Sequence, residues 1–389
     1  MKRNVLQRLR CPNSHIEGLD LVEIAVDEAR DDVVRGVLLS RAAMAAYPIE
    51  HGIAVLLSDA DTDTVHHVAL LEECRGACPP DVQVAIDATI TRLGKVEETP
   101  LGKWNREEMA YYDARNELID EPGQSEFESK TLRPDWHRLL VRNRTLFRHF
   151  GPSIQGRLLL EVGCGTAKTI ALSLDPCAHD YDYVGIELSW QRLLHARAIV
   201  PDGTFIQASA MNLPLGSDQA HVALALGALH HMAEPLAGLG ECMRVVEMGG
   251  FIGFHEPMQT RKLIPEGTRM HELAERVFVA YEHSEHDKDI DYNMSKALLK
   301  THGFRLVSEE FGATVLGLLL VKLTRVIPVF GRTRASAWFV ELMDGLWGRT
   351  VGTVSERLGP RSVVHLSRKE YRFERGSGFG DDGKRDVPA

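Results

Sequence analysis

From Leu158 onward the chain alternates short apolar runs with longer amphipathic segments. The runs are Leu158 to Val162, Tyr183 to Glu187, Thr204 to Gln207, Val222 to Gly227 and Phe251 to His255. Each is short and mostly apolar, as a strand covered on both faces must be. Strands that alternate with helical segments predict a parallel sheet with helices on both faces, an α/β fold. Ahead of this region lie β-like runs at Leu19 to Ala25, Val33 to Leu39 and Ile53 to Leu57, the last after the turn-like Glu50-His51-Gly52. Residues 59–98 carry apolar positions at helical spacing, including Val82, Ile86 and Ile90. The pattern divides the chain into a β-rich module (1–58), a helical linker (59–156), a core with a cap insertion (157–372) and a disordered tail (373–389) rich in Gly, Asp and Lys.

The 389 residues hold 45 basic and 55 acidic side chains, a formal net charge of -10. That balance argues against DNA as a partner and disfavours RNA, since phosphate attraction needs a basic face. Residues 132–149 contain five Arg and read as an amphipathic helix with a solvated face. Six scattered Cys and a start, MKRNVLQRLR, without an apolar leader point to a reducing cytoplasm. The apolar region 313–347, with Trp338, Phe339, Leu342 and Trp347, suggests a helical cap over a hydrophobic small-molecule acceptor. A homodimer contact or a membrane surface are the other uses open to it.

The most specific local signal is Leu158-Leu-Leu-Glu161-Val-Gly163-Cys164-Gly165-Thr-Ala167, an apolar strand running into a Gly-x-Gly turn and then a helix. Glycines there admit unusual backbone angles and a close ligand, and the helix N-terminus offers free N–H groups. Glu161 sits where it would repel a pyrophosphate, which disfavours a dinucleotide. Glu187 closes the second strand 24 residues after Gly163, placed to grip two ribose hydroxyls.

Together these residues resemble class I S-adenosylmethionine methyltransferases of the small-molecule type. The resemblance continues through Gln207 to Pro214, Ala225 to Met232, and Met243 to Pro257. It implies a Rossmann-like, seven-stranded, mainly parallel sheet whose final antiparallel pair draws on Phe304 to Glu309 and Ser362 to Ser367. It implies S-adenosyl-L-methionine as cofactor, held by Glu161, Gly163, Cys164, Gly165, Glu187, Leu188, Ala210, Met211 and Gly227, with Tyr111 folding over it from a preceding helix. It implies methyl transfer to an O or C nucleophile, with His230, His231, His255 and Glu256 as candidate general bases. A second polar cluster runs from Tyr281 to His286. Methylation of RNA or of a translation protein, and a non-catalytic subunit of the same fold, are the alternatives. Three departures stand out: Ser209 where the family often has an acid, His221 where it often has Asp, and Ala167 in place of a third glycine.

Residues 4–57 resemble a different family, the small zinc-ribbon-like proteins that activate methyltransferases, through Val5 to Pro12 and Tyr47 to Leu57. Its two Cys-x-x-Cys pairs are reduced here to Cys11, with Ser14, Ser40 and Ala43 at the other positions. One thiolate does not make a tetrahedral zinc site. The expectation is a metal-free β platform.

Overall fold

A computed structural model describes residues 1–15, 17–61, 64–97, 99–116, 143, 146–173, 180–258, 288, 290–312, 342 and 361–371. The cluster from Tyr281 to His286, all of the apolar 313–347 region but Leu342, most of the Arg-rich helix and the expected disordered tail lie outside the described residues. Among the described residues no helix is long and apolar enough to cross a membrane.

Eleven strands form one sheet in the order β1-β2-β3-β4-β7-β6-β5-β8-β9-β11-β10. The expected strands are present as β5 (Leu158–Val162), β6 (Asp182–Glu187), β7 (Thr204–Gln207), β8 (Ala220–Leu226) and β9 (Val246–Met258). They run parallel to one another. The final pair, β10 (Phe304–Gly312) and β11 (Arg361–Lys369), is antiparallel and joins through β9.

Two features correct the seven-stranded, mainly parallel expectation. The N-terminal strands β1 (Asp20–Asp27), β2 (Asp32–Ser40), β3 (Ala45–Glu50) and β4 (Ile53–Val55) are antiparallel to one another and belong to the same sheet. They join it because β4 lies parallel to β7, with Ile53 opposite Phe205, Ala54 opposite Ile206 and Val55 opposite Gln207. The sheet is therefore mixed. β4 supplies hydrogen-bond partners to what would otherwise be an exposed edge, and Leu56 N–H extends the ladder to the Gln207 carbonyl (2.8 Å).

Side chains alternate across the strands and feed a core on each face. Leu158, Leu160, Val184, Ile186 and Ile206 pack on one side with helix α6 (Pro235–Val245). Leu159, Tyr183, Phe205 and Val222 pack on the other with α5 (Trp190–Ile199) and the short α4 (Lys168–Ser173). The helical reading of 59–98 resolves into α1 (Thr64–Arg75) and α2 (Pro80–Leu93), parted by residues 76–79, with Pro79 capping α2 and Pro80 opening it. Both pack on Val37, Leu39 and Ala46, with Cys74 and Cys78 buried between them. Cys11 is also buried, its sulfur 3.2 Å from the Tyr47 hydroxyl. Among the described residues no group of three or more His, Cys, Asp and Glu is placed to hold a metal. Helix α3 (Pro100–Asn116) follows, and α7 (Tyr292–Thr301) packs near β10.

A carboxylate of the middle strand lies within the apolar core. Glu161, in the middle strand β5, is 1% exposed and accepts a hydrogen bond from the Tyr183 hydroxyl at 2.5 Å. Burial pushes its carboxyl up to about 8; the Tyr183 bond opposes this shift and the Glu187 charge adds to it.

Two outcomes follow. Ile53, fully buried at the β4–β7 seam, should cost about 2–5 kcal/mol when truncated to alanine. In urea, tryptophan fluorescence and far-UV circular dichroism should then shift together; separate transitions would mean the N-terminal strands unfold on their own. The raised Glu161 carboxyl favours the fold below the unfolded-state value near 4.5 and erodes it as pH rises towards about 8. Glu161→Gln removes that slope. Relative to the variant, the wild type should lose up to about 1.4 kcal/mol per pH unit across that window, read from urea midpoints; parallel curves would contradict it.

Candidate active site

The C-terminal ends of β5, β6, β7 and β8 converge where an open α/β sheet binds ligands. Glu187, the last residue of β6, organises the convergence. One carboxylate oxygen accepts from Gly165 N–H (2.9 Å), and the other from Leu188 (2.8 Å) and Ser189 (3.1 Å). The bond to Gly165 ties the loop after β5 to the end of β6. Gly163 in that loop has φ +68°, and a Cβ there would come 2.4 Å from the Ala228 Cβ. Only glycine meets both demands.

Beside this loop lies a cavity of about 260 Å3. Its floor is Gly163, Ile186, Glu187, Leu188, Ala208 to Met211, Gly227 and Ala228, and its far wall is His231 and Met232. Its cover is helix α3, which presents Asn105, Glu108 and Tyr112. Those three recur at helical spacing and so share one face. Arg192 also lines it, its guanidinium 3.6 Å from the centre of the Tyr112 ring.

Of the residues that the sequence nominates for the cofactor, Gly163, Glu187, Leu188, Ala210, Met211 and Gly227 line this cavity. Glu161 and Cys164 do not. Both are buried among the apolar residues beneath the sheet ends, Glu161 spent on Tyr183 and the Cys164 thiol pushed up by burial. Gly165 contributes its N–H to Glu187 and is absent from the wall. Tyr111 is displaced by its neighbour. One residue turns a helix by about 100°, so Tyr112 faces the cavity while Tyr111 packs edge-on against it at 5.2 Å.

The four candidate bases also separate. Glu256 is fully buried and accepts from the N–H groups of Ala228 (2.8 Å) and Leu229 (2.9 Å). Its other oxygen meets His230 Nδ1 at 2.7 Å. Glu256 and His230 thus hold the loop after β8 from behind. His255 is buried, its Nδ1 2.9 Å from Asn143 Oδ1. Leu229–His231 is a single 3-10 turn, in which successive side chains diverge by about 120°. His230 therefore turns inward and His231 alone of the four faces the cavity. His221 and Ala167, two of the departures, are placed away from it: His221 meets Glu247 at 2.8 Å, and Ala167 sits buried at φ 55°.

The sequence reading missed Asn105, Glu108, Tyr112 and Arg192. The first three carried a signal in their shared spacing within the helix before the core. Asn105 is 1% exposed; its Nδ2 donates to Asp61 Oδ1 (2.7 Å) and its Oδ1 has no partner. A buried acceptor left open in a cavity is costly unless a ligand donor meets it. Two carboxylates, an open amide oxygen and one Arg give a wall suited to hydroxyls, amino groups and positive charge. S-adenosylmethionine carries all three, and the open space above Gly227 (φ +77°, nothing within 4 Å of a Cβ) leaves room for a close ligand. The residues present fit it.

Residues 160–254 match a family model described as a methyltransferase domain. An uncharacterized methyltransferase of Mycobacterium leprae is 33% identical over 116 residues, covering 29% of this chain and 41% of its own length. An O-methyltransferase of Pyrenophora dematioidea is 36% identical over 100 residues, covering 24% of this chain and 37% of its own. The chain thus spans about two fifths of the length of these curated relatives. A solved structure of a geranyl diphosphate methyltransferase in complex with SAM aligns at 12% identity and TM-score 0.41, over 64% of this chain and 93% of that one. The matched stretch runs from β5 to β9, so the likeness to methyltransferases rests on the strands and loops that form the cavity floor.

Proposed function

We propose that this chain is an S-adenosylmethionine-dependent methyltransferase that alkylates an O or C nucleophile of a hydrophobic small molecule. The observation that carries the reading is the Glu187 carboxylate, fixed by three backbone N–H groups at the rim of a cavity that glycines keep open. When bound, the cofactor supplies a methyl group made electrophilic by its sulfonium.

Each part of the wall has a role in this reading. Glu187 holds the ribose hydroxyls with the lone-pair capacity that its backbone bonds leave free. Leu188, Ala210 and Met211 flank the adenine, and Asn105 Oδ1 is an acceptor for a ligand N–H or O–H. Gly163 and Gly227 let the backbone approach the methionine portion. Tyr112, braced by Arg192, shields the cavity from water, which strengthens every electrostatic contact within it. His231 takes the proton from the acceptor. Methyl transfer is an in-line displacement, so much of the acceleration comes from holding the acceptor in line, worth several kcal/mol or more.

Oxygen as the nucleophile draws support from relatives named as O-methyltransferases. The apolar character of the acceptor draws support from Met211, Met232, Ile186 and Leu188 in the wall, and the net charge of -10 weighs against RNA.

Calorimetry with S-adenosylmethionine tests the reading without knowledge of the acceptor. The wild type should bind, and Glu187→Ala should weaken binding roughly 30-fold or more, as expected for losing about 2 kcal/mol or more of hydrogen bonds to a charged group. Unchanged affinity in that variant would remove the ribose assignment. Methyl-labelled cofactor incubated with extracts fractionated by polarity should label the apolar fraction; label in the RNA fraction would contradict the acceptor class.

A further inference from the structure

One stripe of helix α3 meets His231 at three points. Trp104, Glu108 and Tyr112 stand at i, i+4 and i+8, a single face of the helix. Trp104 Nε1 donates to the His231 carbonyl (3.4 Å). Glu108 Oε1 lies 3.5 Å from His231 Nδ1. The Tyr112 ring meets the imidazole edge-on, with centroids 5.5 Å apart at 87°. The backbone is pinned as well, His231 N–H donating to the Ala228 carbonyl (3.2 Å). Helix α3 lies outside residues 160–254, so none of this follows from the matched domain.

We propose that Glu108 is the positioning residue for His231, holding a proton on Nδ1 so that Nε2 is free to act as the base. The proposal rests on the methyltransferase reading and adds to it a residue for proton removal. Glu108 is 3% exposed and lines the same cavity. A buried carboxylate beside an imidazole nitrogen selects the tautomer with hydrogen on that nitrogen and stabilises the imidazolium that forms. The separation of 3.5 Å is longer than a hydrogen bond, and such contacts shorten in the occupied site.

The step balances without further reagents. The acceptor's O–H or C–H proton passes to His231 Nε2. The freed electron pair forms the new bond to the methyl carbon, while the sulfur–carbon pair returns to sulfur, which becomes neutral. The positive charge lost from the sulfonium reappears on the imidazolium, next to Glu108. Its proton is then released to water.

Other charged and titratable groups face this pair. The His230 ring is 3.9 Å from that of His231 and is engaged by Glu256. Arg192 lies over the Tyr112 ring, and Lys288 lies 4.3 Å from the Trp104 ring. The two cations oppose a proton on His231, and the Glu108 carboxylate at the ring offsets them.

The test uses the full chain with ¹⁵N-labelled histidine and long-range nitrogen–proton spectra. The His231 signal is assigned by its loss in His231→Gln. Neutral His231 in the wild type should carry its proton on Nδ1, and Glu108→Gln should lower its titration midpoint by about one pH unit or more. A proton on Nε2, or a midpoint that does not move, would overturn the proposal. If Glu108→Gln fails to fold, Glu108→Asp keeps the charge one methylene further away and should give an intermediate midpoint; an unmoved one counts against the pairing. Calorimetry separates the two readings. A wild type that does not bind the cofactor overturns the methyltransferase reading and this role with it. Normal binding with an unmoved midpoint overturns the pairing alone.

Discussion

The site depends on one carboxylate that has more acceptors than its own strand needs. Glu187 ends β6 at the point where β5 turns away, leaving backbone N–H groups of two segments without strand partners. By taking Gly165, Leu188 and Ser189 together, it closes the glycine loop against the neighbouring strand. A buried N–H left unpaired costs about as much as a lost hydrogen bond, so the loop has little freedom to collapse into the cavity. Glu256 does the same on the other flank, binding Ala228 and Leu229 N–H and so fixing the turn that presents His231. Two acids set the two lips of the cavity, and glycine keeps the space between them open.

The cavity nevertheless needs more than the sheet ends. Its cover comes from α3, which follows the N-terminal strands in the chain, and those strands are bonded to β7 through β4. The pairing seals an edge that would otherwise be open to other strands. It also places residues 58–61, which follow β4, against α3, where Asp61 takes the Asn105 amide. The N-terminal region is thus a structural neighbour of the cavity wall, and Asn105, Glu108 and Tyr112 lie beyond the stretch that matches the methyltransferase domain.

Much of this was legible from residue order. The strands Leu158–Val162 and Thr204–Gln207 agree with the reading residue for residue, since a doubly covered parallel strand is a short apolar run bounded by polar turns. β3 was not legible because Pro48 interrupts Tyr47-Pro48-Ile49, and proline usually argues against a strand interior. The union of the N-terminal strands with the main sheet was hidden for a different reason. Apolar patterning reports which face of Ile53–Val55 is buried, and says nothing of which strand lies beside it. In the site, Glu187, Gly163 and Gly227 fall on the cavity wall, positions that local backbone sets. The sequence pointed to Tyr111 where Tyr112 lines the cavity, because two adjacent tyrosines do not fix the phase of a helix, and it did not rank the histidines because a single turn decides which of them faces the cavity. Glu161 shows the limit most plainly. An acid two residues before the glycine turn reads as a ligand contact, yet strand alternation sends it into the core against Tyr183.

The most direct test of the account is a crystal structure of the full chain with S-adenosylhomocysteine, the product form of the donor. The account predicts the ribose hydroxyls on Glu187, the nucleoside beneath α3, and the thioether facing His231. A nucleoside bound elsewhere, or the space above Gly227 filled by protein side chains, would contradict it.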